Sequence, residues 1–199
     1  PGQLPRMLQG AIQTALSRRG VSVIGIPGDL TGESQVNIPS SEINYPTHPR
    51  TCPSDTELQA LADLLNNNSN ITLFCGIEEI VELSHRLKAP VAYSFKSKME
   101  IQYDNPNEVG MTGLLGMASG YNSMHAADVL VLLGTDFPYG PFLPTHNKIV
   151  QIDIDPSHLG RRAKVQMGLC GDIKTTLEAL LPLLQAKSDK SFLNDQLLG

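Results

Sequence analysis

The stretch VGMTGLLGMASGYNSMHAADVLVLLGTDFPYGPFLPTHNKIVQIDIDP, residues Val109 to Pro156, decides how the rest of the chain is read. It holds two short apolar runs. Val129 to Leu133 (VLVLL) is stopped by Gly134, and Ile149 to Ile154 (IVQIDI) is stopped by Asp155-Pro156. Runs this short, β-branched and bounded by turn residues predict strands buried on both faces, as in a parallel sheet. Gly116 to Ala127 is helix-like and rich in small residues. It follows Gly113-Leu114-Leu115-Gly116, where two glycines let the backbone approach a ligand closely. In an open α/β sheet, ligands sit outside the carboxyl ends of the strands. Gly134-Thr135-Asp136 and Asp153-Ile154-Asp155 both fall at such ends, so a nucleotide is the first ligand to consider.

Outward from this stretch the chain alternates strands and helices. Residues 3 to 19 follow the 3.6-residue period of a helix, and Val21 to Ile26 reads as a strand broken by Pro27-Gly28-Asp29. This αβ unit has no sheet partner nearby in sequence, so it is expected to be the remnant of another domain and the chain an excised fragment. Residues 29 to 54 read as a linker punctuated by Pro39, Pro46, Pro49 and Pro53. Ser54 or Asp55 caps a helix through Leu65. Strands are expected at Ile71 to Cys75 and Val91 to Ser94, with a helix from Glu78 to Lys88 between them. Residues 96 to 110 read as an irregular excursion. Ser157 to Arg162 reads as a helical turn, Val165 to Cys170 as an edge strand, and Asp172 opens a helix to Leu184. The pattern predicts an α/β, doubly wound, Rossmann-like parallel sheet of five or six strands. The expected domains are a remnant (1–28), a linker (29–54), the central domain (55–186) and a polar tail (187–199).

Composition narrows the function classes. The formal charge of the 199 residues is −5, and no Lys/Arg cluster offsets it, which argues against a nucleic-acid face. Arg161-Arg162 and Lys96-Ser97-Lys98 are the local basic pairs, and both read as solvated turns rather than phosphate sites. No apolar run reaches the ~20 residues that span a bilayer. Cys52, Cys75 and Cys170 have no CxxC spacing, which fits a reducing cytoplasm and offers no metal site. His125, near a helix end, is assigned no chemistry.

Longer strings carry a family resemblance. YDNPNEVGMTGLLG, ADVLVLLGTDFPYGPFLPTHNKIVQIDIDP and KVQMGLCGDIKTTLEALLPLL resemble the central domain of thiamine-diphosphate-dependent enzymes, in the branch of pyruvate oxidase and quinone-dependent pyruvate dehydrogenase. ALSRRGVSVIGIPGDL is similar to the end of that family's pyrimidine-binding domain. The resemblance implies a domain that holds FAD in an extended pose. Leu114, Leu115, Gly116 and Met117 would line the flavin side. Gly134, Thr135, Asp136, Phe137, Pro138 and Tyr139 would pass along the sugar chain and pyrophosphate. Asp153 and Asp155 would meet the adenosine end, with Asp172 contributing there. It also implies oxidative decarboxylation of pyruvate in the full-length enzyme, with electrons passed through FAD to a quinone or oxygen. Thiamine diphosphate and Mg would be bound outside this stretch, because Gly28-Asp29-Leu30 and Gly171-Asp172-Ile173 do not match the family's GDG motif. The implied partners are the other domains of the same enzyme and further copies of it, in a tetramer, with a cytoplasmic and membrane-peripheral setting.

Plainer readings stand beside these. Gly116 and Gly134 read equally as turn glycines, and Phe137 and Tyr139 equally as core residues. Asp172 reads as a helix cap and Asp155 as a turn former. Asp153 needs a partner if it is buried. Cys75-Gly76-Ile77 runs directly into Glu78-Glu79, a shorter turn than the resemblance implies, and Gly140 stands where relatives carry Arg. Two other functions therefore remain open: a structural, subunit-contact module without a cofactor, and an acetolactate-synthase-like carboligase domain with a non-redox FAD.

Overall fold

Burial along Ile71–Cys75 (β1), Val129–Leu133 (β4) and Lys148–Asp153 (β5) is continuous apart from Lys148, as expected of strands covered on both faces. The computed structural model describes residues 2–18, 20–32, 50–76 and 80–198. These fall into two compact units, Pro1–Pro49 and Arg50–Gly199.

The second unit contains the sheet. Val91–Tyr93 (β2), Glu108–Met111 (β3) and Met167–Cys170 (β6) complete six strands in the order β3-β2-β1-β4-β5-β6, every neighbouring pair parallel. The order reverses direction between β1 and β4, which is the switch point of a doubly wound sheet. The expected fold class and strand number hold. Side chains alternate between two cores, as a period of two requires. Ile71, Leu73, Cys75, Val129, Val131 and Leu133 face one core, completed by the helices Asp55–Asn66 (α2), Val81–Leu87 (α3) and Ile173–Leu180 (α6). Phe74, Leu130 and Leu132 face the other, with Met124 of the helix Ala118–Ala126 (α5). Thr72 shares that second face, and its hydroxyl donates to the Ser123 carbonyl at 2.8 Å, so a polar group survives at the centre of the sheet. Helix α2 starts where its sequence says it should. Ser54 and Glu57 form a reciprocal capping box, with the Ser54 N–H donating to the Glu57 carboxylate at 2.8 Å.

Three expectations need correction. Val21 to Ile26 lies in no strand among the described residues, and Val21 and Val23 are 92% and 89% exposed. Apolar alternation alone does not make a strand where no neighbour completes the hydrogen-bond ladder. The remainder of that unit is the helix Leu4–Ser17 (α1, preceding the others in the chain) and a 3-10 turn at Gly28–Gly32, and residues 33–49 of the expected linker lie outside the described residues. Residues 96 to 110 are not simply irregular. They hold a 3-10 turn, the short helix Lys98–Ile101 (α4) and β3, whose strand state comes from pairing with β2 rather than from its own EVGM composition. The expected polar tail contains the helix Ser191–Leu198 (α7), which buries Leu193 and packs near α5 and β3. The expected helix start at Glu78 lies outside the described residues, and the helix there spans Val81–Leu87.

Helix α5 lies unusually close to β3. A Cβ on Gly120 would sit 2.6 Å from the Gly110 carbonyl oxygen, and one on Gly110 would sit 2.8 Å from the Ser119 hydroxyl. The neighbour at Gly120 is backbone and cannot rotate away. Gly120→Ala is expected to destabilise the chain by about 1–3 kcal/mol through overpacking. Urea unfolding measures this, and an unchanged midpoint would contradict the tight α5–β3 contact.

Candidate functional site

The switch point is floored by backbone. Gly76 follows β1 and Gly134 follows β4, and a Cβ on Gly76 would lie 2.3 Å from the Gly134 carbonyl oxygen. The Gly76 N–H donates to the Leu133 carbonyl at 2.9 Å, and the Gly134 N–H donates to the Ile152 carbonyl at 2.9 Å. The ladder thus continues past the strand ends. Gly134 has φ of 60°, the left-handed region where a side chain is strained by roughly 1–2 kcal/mol. Glycines at strand ends let a ligand approach the main chain closely.

One wall is the turn after β3. The Thr112 N–H donates to the Tyr93 carbonyl at 2.9 Å, the Met117 N–H to the Met111 carbonyl at 2.8 Å, and the Gly116 N–H to the Gly113 carbonyl at 2.9 Å. A Cβ on Gly116 would meet Thr112 Cα at 2.6 Å and the Gly113 nitrogen at 2.7 Å, so only glycine closes this turn without displacing backbone. The turn pushes Leu114, Leu115 and Met117 outward, and all three are at least two-thirds exposed. Solvated apolar side chains held on a closed turn can cover the face of a planar ligand. Gly113, at φ 124°, has room for a Cβ 3.5 Å from the Phe137 ring and 3.8 Å from Tyr139. The structure therefore brings the two loops together. Phe137 is buried and edge-on to Phe74 at a centroid distance of 4.9 Å, which makes it a core residue that also backs the loop. Tyr139 meets Phe137 edge-on at 5.3 Å with its ring partly exposed, and Pro138 is exposed.

The other wall is charged. Asp136 is gripped by Arg161 and Arg162, its Oδ1 accepting from Arg161 Nε at 3.1 Å and Arg162 Nε at 3.2 Å. Arg161 foremost, and then Arg162, holds the Asp136 carboxyl below the usual carboxylate range against the opposing effect of burial. Arg161 and Arg162 are thus more than a solvated turn. Asp153 is buried, and its Oδ1 accepts from the Asp155 N–H at 2.9 Å; His158 Nδ1 lies 3.2 Å from the same oxygen but makes no hydrogen bond to it. Asp155 is half exposed, and the hydroxyl and N–H of Ser157 hold its carboxyl below the usual range. Asp172 caps α6, accepting from the Thr175 N–H at 3.0 Å, at the far end of the sheet beyond β6. His125 Nε2 lies 3.1 Å from the Phe142 carbonyl, a contact that holds α5 to its neighbouring loop.

Sequence reasoning passed over Gln151, a buried amide in the middle of β5. It could have been found as the one amide inside the IVQIDI run, because a buried amide must be hydrogen-bonded on both sides.

Comparison with known proteins places this geometry in a family. Residues 58–180 match the family described as thiamine pyrophosphate enzyme, central domain. The chain belongs to that family. It is 42% identical over 201 residues to an uncharacterized 42.6 kDa protein in the isoamylase 3′ region of Pseudomonas amyloderamosa, covering 98% of this chain and 51% of that one. It is 30% identical over 197 residues to the putative thiamine pyrophosphate-containing protein YdaP of Bacillus subtilis, covering 96% and 34%. It is 27% identical over 192 residues to the pyruvate oxidase of Lactiplantibacillus plantarum, covering 89% and 31%. Acetolactate synthases match at similar identity, 25% in Mycobacterium leprae. The chain spans about half the length of the first of these relatives and about a third of the others. No helix among the described residues is long and apolar enough to cross a membrane.

The Asp136 clasp joins the loop after β4 to the loop after β5. Asp136→Asn is expected to lower stability at pH 7 by about 1 kcal/mol, since the three side chains are partly exposed. The folded carboxyl titrates below its ordinary value of 3.8. Its contribution is therefore fully present above that pH and lost as pH falls through the lower, folded value. Urea midpoints of the two proteins should converge in acid. A gap that stays constant below pH 3.8 would contradict the clasp.

Proposed function

We propose that this chain is the FAD-binding central domain of a pyruvate-oxidising, thiamine-diphosphate-dependent enzyme. The observation that carries the reading is the close approach of bare backbone at Gly76 and Gly134 at the switch point, with Leu114, Leu115 and Met117 exposed on the turn after β3. The residues fit the group. A dinucleotide needs close main-chain approach for its pyrophosphate, an apolar cover for its ring system and a carboxylate for its ribose. The first lies at Gly134 and Thr135, the second at the 113–117 turn with Tyr139, and the third at Asp155, the more exposed of the β5 carboxylates. Asp153 supports that end by fixing the Asp155 backbone. Asp136 is engaged with its arginines and shapes the loop rather than accepting from ligand. Asp172 serves its helix, and we assign it no ligand contact. When bound, FAD supplies a two-electron acceptor. The chain's own contribution is to hold that group extended, cover one face of its ring system and exclude water there.

Family membership supports the thiamine-diphosphate context, and the match to a pyruvate oxidase supports the oxidative branch. The segment Phe137-Pro138-Tyr139 resembles that branch. Matches to acetolactate synthases favour a second reading, a carboligase domain with non-redox FAD. The full-length protein, supplied with pyruvate, thiamine diphosphate, Mg and FAD, separates the two. Acetate formed with reduction of an artificial electron acceptor is the expected result. Acetolactate formed without acceptor reduction would overturn the oxidative reading. Within the groove, Gly134→Val both strains the backbone and fills the floor. It is expected to weaken FAD binding at least about tenfold, the equivalent of roughly 1.4 kcal/mol, as read by quenching of flavin fluorescence. Undiminished affinity would move the pyrophosphate elsewhere.

A further inference from the structure

The two loops at the carboxyl ends of β4 and β5 are tied to each other from beneath. Gln151 is 3% exposed and stands mid-strand in β5. Its Oε1 accepts from the Gly160 N–H at 2.9 Å, and its Nε2 faces the Thr135 carbonyl at 3.4 Å. The chemistry fixes the amide's orientation, since the N–H must meet the carbonyl oxygen of Gln151 and the NH2 must meet the carbonyl of Thr135. Gly160 has φ of 75°, so the loop turns back over the strand where Gln151 reaches it. Thr135 is itself buried, directly after the left-handed Gly134. Above this inner tie lies the outer one, the grip of Arg161 and Arg162 on Asp136. One amide therefore joins the loop that carries Gly134 to the loop that follows Asp155, although the two are separated by the whole of β5.

We infer that Gln151 is a positioning residue that makes the Gly134–Tyr139 and Pro156–Arg162 loops one rigid rim of the nucleotide groove, setting the spacing between the pyrophosphate floor and the ribose carboxylate. This rests on the nucleotide reading given above. Gln151 touches no ligand in this account and acts through Thr135 and Gly160. Because the tie is buried, salt does not loosen it, whereas the outer clasp is screened.

Amide hydrogen exchange on the full chain, with FAD affinity measured in parallel, tests the inference. Gln151→Leu keeps the volume and removes both contacts. Exchange is expected to rise about tenfold in residues 134–139 and 156–162 together, with β4 and β5 unchanged. FAD binding should weaken about tenfold, with the flavin absorbance of the bound form shifted toward that of free flavin. Gln151→Glu keeps an acceptor for Gly160 and presents an oxygen to the Thr135 carbonyl. It should loosen residues 134–139 and leave 156–162 as in the wild type, a split that general destabilisation would not produce. Exchange unchanged in either loop of Gln151→Leu would overturn the inference, as would loosened loops with unaltered FAD affinity. Failure of the wild-type chain to bind FAD would instead sink the nucleotide reading, and the coupling of the two loops would then be judged by exchange alone.

Discussion

No side chain fits between the ends of β1 and β4. The 2.3 Å that a Cβ on Gly76 would leave to the Gly134 carbonyl is far inside contact distance, so the two strand ends close on each other as bare backbone. Everything nearby follows from that approach. The ladder runs past the strands through the Gly76 and Gly134 N–H groups. The sheet reverses its order at this point, where a doubly wound sheet places its ligands. The turn after β3 then needs its own glycines to lie against Phe137 and Tyr139, and it carries Leu114, Leu115 and Met117 outward.

A groove of this kind gains its character from its two walls. On the β3 side the wall is apolar and held by short backbone hydrogen bonds within one turn. On the β5 side it is ionic, built from Asp136, Arg161, Arg162, Asp153, Asp155 and His158. The carboxylates there are not idle. Asp153 fixes the backbone of Asp155, Asp155 caps the turn at Ser157, and Asp136 clasps two arginines. The proposed ligand, elongated with one aromatic and one polar end, would meet a site that differs along its length in the same way. Under the proposed reading, such a site positions a cofactor while other parts of a larger protein act on substrate.

The strands at the centre of the sheet were legible because burial on both faces leaves a continuous apolar run. VLVLL and ITLFC needed no tertiary information. The helix cap at Ser54 was equally plain, since its chemistry lies within four residues. What was hidden depends on neighbours distant in sequence. EVGM becomes a strand only because β2 lies beside it, and VSVIGI does not become one because nothing among the described residues pairs with it. In the site, the glycine turn and the acidic strand end were visible as residue types at strand ends. The partners of those acids were not. Arg161 and Arg162 read as solvent-facing until the fold brought them to Asp136, 25 and 26 positions away. Gln151 drew no reading of its own, because its two contacts lie in two different loops.

The central claim is that a nucleotide lies across the carboxyl ends of β1 and β4. Hydrogen exchange of the wild-type chain with and without saturating FAD maps this most directly. The account predicts protection in the 111–117 turn and in residues 134–139, with lesser protection at 153–155, and no change in α2, α3 or α6 on the other face of the sheet. Protection confined to those helices, or none anywhere, would contradict it.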